Sequence, residues 1–162
     1  MSQITLRIDG RYRREQTDAG RLRTALHVEE VAALAYRTAA ERVLEGEERA
    51  VAERFAAQER EHAGALMTMT LALTLEVRRH AAGKDLDNLM PGFEALGRRE
   101  TLEALLELET AAVAGQQTLA RDMVDLDTLR TVGMVMAGGA QHLVVLRRLL
   151  DEKPLTFVFE NG

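Results

Sequence analysis

The chain has 162 residues, 46% hydrophobic and 29% charged, and a formal net charge of −5. That length allows one domain with a substantial core, and the acidic balance excludes a general nucleic-acid binder, whose affinity for phosphate comes from clustered Lys and Arg. Having no cysteine, the chain has no disulfides, thiolate metal sites or thiol nucleophiles; with Ser2 as its only serine, a conventional serine hydrolase is improbable.

Two prolines and 4% aromatics, set against abundant Ala, Leu, Glu and Arg, predict an all-α fold, because unbranched side chains lose little rotamer freedom in a helix. Residues 1–17 read as an arm. It is basic, with Arg7, Arg11, Arg13 and Arg14 followed by Arg21 and Arg23, and Ile4, Leu6 and Ile8 alternate with polar residues as in a short strand. Met1 to Gly20 has no apolar signal core, and polar residues follow Arg13-Arg14, so a cytoplasmic location is expected.

Asp18 can cap a first bundle helix through Leu22, Leu26, Val31, Leu34 and Val43, stopped by Gly46. A second runs from about Glu47 to about Ala82. Its apolar stretch, Ala63 to Leu75, falls short of the roughly 20 residues that cross a bilayer and is interrupted by Thr68, Thr70 and Thr74, so no membrane association is expected. Gly83 to Gly97, with Asp85, Asp87, Asn88, Pro91 and Gly92, reads as a long connection. Two more helices fit Arg98 to Asp122 and Leu126 to Asp151, the last ending before Pro154. In the tail, residues 154–162, Leu155, Phe157 and Phe159 are spaced like a second short strand. The short, long, short loop order over residues 18–153 predicts a four-helix bundle of two helical hairpins joined by one crossover.

The two hairpins are related in sequence. An offset of 80 residues pairs Glu29 with Glu109, Ala32 with Ala112, Thr38 with Thr118, His62 with His142 and Leu66 with Leu146. In such a composition the Ala and Leu matches carry little weight, and the Glu and His pairs carry most. Glu59 and His62 form Glu-x-x-His, which puts a carboxylate and an imidazole on one helix face. With Glu29, Glu109 and His142, every bundle helix supplies a candidate ligand for iron or manganese, ions that favour carboxylate and imidazole donors. Burying such carboxylates without metal or hydrogen-bond partners costs several kcal/mol each, on the order given by transfer arguments. Tyr36, two turns after Glu29, is placed to bond a ligand carboxylate, and Gln116 holds the equivalent place after Glu109.

On these residues the chain resembles the bacterial ferritin-like superfamily, in particular small ferritin-like domain proteins with Glu-x6-Tyr followed by Glu-x-x-His in each half. The resemblance covers about residues 20 to 153. It implies metal ligands at Glu29, Glu59, His62, Glu109 and His142, with Tyr36 as a catalytic residue that orients a ligand or donates an electron. The first half is complete. In the second, Gln116 replaces the tyrosine and Gly139 replaces the glutamate that would bridge two metals, so the second half-site is degenerate.

Two functions compete at this stage. One is a metal-binding protein, and an oxidase acting on ferrous iron with dioxygen or peroxide, holding two ions, or one on Glu29, Glu59 and His62. The other is a non-catalytic helical scaffold in which the polar residues form a buried network without metal. Self-association as a homo-oligomer, a dimer, is expected in either case. His27 and His80 read as surface or capping residues, and Met67, Met69, Met134 and Met136 as core filling.

Overall fold

The computed structural model of the protein describes residues 3–14, 17–74 and 80–151. Six helices follow one another: α1 (Gln3–Arg14), α2 (Asp18–Arg42), α3 (Gly46–Thr74), α4 (Gly83–Leu89), α5 (Arg98–Asp122) and α6 (Leu126–Leu149), with a 3-10 turn at Phe93–Ala95. No strand occurs among the described residues. The fold is the expected all-α bundle, in which α2 packs along α3 and α5 along α6. Contacts of α2 with α5 and of α3 with α6 join the two hairpins.

Each helix end has a local cause. Thr17, not Asp18, caps α2, its hydroxyl accepting from the Gly20 N–H at 3.1 Å. The α2–α3 turn is tight because Gly46 adopts a positive φ of 52°. Asp125 caps α6, accepting from the Thr128 N–H at 2.8 Å. Between the helices, α2 presents Ala25, Ala32, Ala35, Ala39 and Ala40 to the core, and such small side chains let neighbouring helices approach closely. Leu22, Leu66, Leu102, Leu105, Leu108, Leu119 and Leu146 fill the space between, each burial stabilising by about 1.5–3 kcal/mol before entropy.

Three expectations change. The N-terminal strand is a helix: Ile8 and Tyr12 are buried and Ile4 partly so, whereas Leu6 is 51% exposed, so spacing by four rather than by two defines the apolar face. This α1 lies mainly on α5. The second bundle helix does not reach Ala82: Ala82 is extended, and Glu30 accepts from the Ala81 N–H at 3.0 Å. The crossover is not bare loop, because α4 and the 3-10 turn bury Leu86, Leu89, Met90 and Phe93, and Arg7 donates to the Asn88 carbonyl at the end of α4. The proposed C-terminal strand lies outside the described residues.

Helix α6 is long and apolar enough, by length and composition alone, to cross a membrane. In the bundle it buries Val132, Val135, His142 and Leu146, while Met134 and Val144 stay exposed on its other side. Met134 is therefore surface, not core filling as its pattern suggested.

Candidate metal centre

The centre is built from all four bundle helices. α2 contributes Glu29 and Tyr36, α3 contributes Glu59 and His62, α5 contributes Glu109 and Gln116, and α6 contributes His142. Glu29, Glu59, Glu109, Gln116, His142 and Tyr36 are all at most 3% exposed. Every residue singled out for the site on sequence grounds thus enters one cluster, buried except at His62.

Glu59 sits at its middle. Its Oε2 lies 3.0 Å from His62 Nδ1, and its Oε1 lies 2.8 Å from His142 Nδ1. Around it the donors sort into two groups, Glu29–Glu59–His62 and Glu59–Glu109–His142, each with ligand atoms within 4.8 Å of one another. Glu59 belongs to both. His62 Nδ1 is also 3.3 Å from Glu29 Oε2, and His142 Nδ1 is 2.9 Å from Glu109 Oε1.

Hydrogen bonds around the cluster orient these donors. The Tyr36 hydroxyl donates to Glu109 Oε1 at 2.6 Å, and the Gln116 amide donates to Glu29 Oε1 at 2.6 Å. Each bond runs from one hairpin to the other, on opposite sides of the site. His142 Nε2 donates to Gln58 Oε1 at 3.0 Å, which leaves Nδ1 as the nitrogen facing the carboxylates. Phe55 stacks on His142 with ring centroids 3.8 Å apart, and Tyr36 meets Phe55 edge-on.

Burial and mutual proximity reshape the ionisation of the cluster. Burial, then the Glu59 charge, holds Glu29 well above the ordinary carboxyl range. Burial likewise pushes Glu109 up to about 7. Burial acts on Glu59 in the same sense, but hydrogen bonds from Glu29, His142 and His62 overcome it and hold Glu59 below the usual range. Burial depresses His142, yet its bonds to Glu109 and Glu59 dominate and raise it to about 9. Without metal, burial thus favours the protonated forms of Glu29 and Glu109, while their hydrogen-bond partners favour the charged forms of Glu59 and His142.

The donor set fits a pair of hard divalent ions. Three carboxylates and two neutral imidazoles suit iron or manganese, and Glu59 is the residue both groups share, with Oε2 facing His62 and Oε1 facing His142. The position of the missing glutamate is closed, however. A Cβ on Gly139 would fall 2.9 Å from Val113 Cγ2 and 3.3 Å from Glu109 Oε2. The Gly139 hydrogen thus leaves room for Val113 and Glu109 rather than a void.

Gly138 breaks the symmetry in the opposite sense. It is the 80-residue counterpart of Gln58, the residue that holds His142, and its own Cβ would fall 2.5 Å from His62 Cε1 and 2.6 Å from His62 Nε2. The His62 ring therefore rests directly on the α6 backbone. Its side chain is 18% exposed, against 1% for His142, so solvent reaches the centre on this side.

Gln58, Phe55 and Tyr12 were not singled out from sequence. Gln58 is visible only once the repeat offset is applied one residue before Glu59, where it pairs with Gly138. His80 is an exposed surface residue on Glu30, at 2.6 Å. A groove of about 370 Å³ beside it, lined by Glu30, Arg37, Arg60 and Met67, includes none of the five candidate ligands.

Comparison with known proteins agrees with this fold. Residues 17–152 match the family described as the ferritin-like domain. Among solved structures, a protein of Thermotoga maritima described as a candidate ferritin-like diiron-carboxylate protein superposes with a TM-score of 0.69 at 23% identity. The match covers 85% of this chain and 96% of that one. No curated protein matches the chain.

Proposed function

The chain belongs to the ferritin-like domain family, and on that premise we propose that it binds two iron or manganese ions per chain and acts as an oxidase. The observation that carries this reading is the shared carboxylate: Glu59 belongs to both donor groups and brings one oxygen to each histidine. In this reading Glu29, Glu59 and His62 hold one ion, and Glu59, Glu109 and His142 hold the other. Bound iron would supply electrons to dioxygen or peroxide.

The chain's own residues set the conditions for that chemistry. Glu29 and His142 release protons as they become ligands, because each ligates only through a deprotonated atom. The Tyr36 hydroxyl fixes Glu109, and Gln58 fixes the His142 tautomer. Helices α2, α3, α5 and α6 exclude bulk water from every ligand except His62, whose exposed side admits small molecules. Val113 and Glu109 close the place of the absent second glutamate, so small ligands would reach the centre from the exposed side of His62.

One observation favours a scaffold instead: Tyr36, Glu109, His142 and Gln58 form a hydrogen-bonded chain that needs no metal. Anaerobic addition of ferrous iron followed by oxygen separates the two. The oxidase reading expects about two ions per chain and ferric absorbance developing faster than in protein-free buffer. A chain that takes up no iron and leaves oxidation at the buffer rate would be a scaffold. Self-association belongs to the same proposal, since Met134 and Val144 are exposed on α6, and native mass tests it: a dimer is expected, a strict monomer contradicts it.

A further inference from the structure

The two halves of the centre treat their outer carboxylates differently. Glu109 receives a phenol, Tyr36, whereas Glu29 receives the amide of Gln116. A second phenol nonetheless reaches the Glu29 side from outside the four-helix bundle. Tyr12, on α1, is 3% exposed, and its ring lies against Gly115, where a Cβ would fall 2.2 Å from Tyr12 Cε2. Gln116 is the next residue. The Tyr12 hydroxyl is buried without a hydrogen-bond partner, and so is the Gln116 carbonyl oxygen, Oε1. A donor and an acceptor are thus left over on the Glu29 side, where burial first and then the nearby Glu29 charge oppose ionisation of the phenol.

Unpaired buried polar atoms are rare in folded proteins, and two of complementary kind flanking one ligand ask for a common explanation. We propose that Tyr12 is the second phenol of the centre, a positioning residue that donates to Gln116 Oε1 through one water and thereby holds the Gln116 amide on Glu29. Gln116 then acts as a relay: its carbonyl accepts from Tyr12 through that water while its N–H donates to Glu29. Where the other half has a tyrosine in sequence register, this half draws one from α1. Gly115 is what allows the ring to sit there, since any larger side chain would strike it.

The proposal rests on the reading of Glu29 as a metal ligand, and its test separates the two. Manganese titration of wild type, Tyr12→Phe, Gln116→Leu and the double variant, with melting of each metal-free chain, measures both. Wild type is expected to bind two ions. Tyr12→Phe is expected to stay folded without metal, having lost one water-mediated bond to the Gln116 carbonyl, and to bind one of the two ions about tenfold more weakly. The double variant is expected to be no weaker than Gln116→Leu alone, because the phenol acts through the amide. Unchanged affinity in Tyr12→Phe, or losses that add in the double variant, would overturn the role of Tyr12 and leave the metal site standing. A wild type that binds no manganese would overturn both.

A second measurement does not depend on the stability of Tyr12→Phe. The chain has two tyrosines and no tryptophan, so Tyr36→Phe leaves Tyr12 as its only phenol. Its near-ultraviolet absorption is expected to shift as manganese binds. A spectrum unmoved at saturation would place Tyr12 in the core as packing alone.

Discussion

At Gly138 one hydrogen stands where any larger side chain would meet the His62 ring well inside van der Waals contact, with a Cβ 2.5 Å from Cε1. Gly138→Ala brings two opposed effects. Alanine favours a helix by about 0.8–1.0 kcal/mol, while the ring must swing off its seat. We expect metal-free stability to change by less than about 1 kcal/mol and manganese affinity to fall by about tenfold or more. Thermal melting and titration of the same preparation check this, and unchanged affinity would mean His62 is not a ligand. Glu59→Gln is expected to abolish binding of both ions, whereas Glu29→Gln weakens chiefly one, because only Glu59 belongs to both donor groups. At this scale much of the site was legible. The Glu-x-x-His spacing and the 80-residue offset pointed to Glu29, Glu59, His62, Glu109 and His142. Gln58 and Phe55 were not, because an amide beside a ligand and a phenylalanine one turn before it look like any helix residues until the ring they touch is placed.

Among the elements, α6 departs furthest from the family pattern. Restoring the glutamate by Gly139→Glu does not restore a bridge, since the new Cβ would meet Val113 Cγ2 at 2.9 Å and add a charge beside Glu109. Overpacking of this kind costs about 1–3 kcal/mol. Val113→Ala should recover most of that loss, so chemical denaturation should rank the chains wild type, then Gly139→Glu/Val113→Ala, then Gly139→Glu. Equal stability of the two variants would show that Val113 does not close the position. The element missed in sequence is α1. Ile4, Leu6 and Ile8 satisfy a strand pattern and Ile4, Ile8 and Tyr12 satisfy a helical one, and over so few residues periodicity alone does not decide. Packing on α5 decides it, because only a helix buries Ile8 and Tyr12 together while Leu6 faces solvent. The long helices were legible because their apolar stripes run for several turns. Their ends moved where a tertiary contact intervened, as Glu30 does at Ala81.

For the whole molecule, the cluster ties stability to pH. Glu109 is raised from 4.5 to about 7 and His142 from 6.5 to about 9, and Glu29 is raised as well, so over this range the folded chain holds more protons than the unfolded one. The stability these groups contribute is complete below their unfolded values and is lost as pH rises through 7 and then 9. Glu59 has the opposite sign, and its contribution is lost as pH falls below 4.5. The metal-free protein should therefore be most stable near pH 5–6 and melt roughly 5 °C or more lower at pH 9. Saturating manganese should remove most of that difference, and binding at pH 7 should release at least about one proton, measurable with an indicator dye in weak buffer. A metal-free melting temperature that rises from pH 6 to pH 9 would contradict the arrangement of charges.

Crystals grown with manganese, with diffraction data collected at its absorption edge, locate the ions without reference to activity. We expect two anomalous peaks per chain, one between Glu29, Glu59 and His62 and the other between Glu59, Glu109 and His142, with Glu59 coordinating both. No peak at the cluster, or peaks with Glu59 unbound, would contradict a dinuclear centre built on one shared carboxylate.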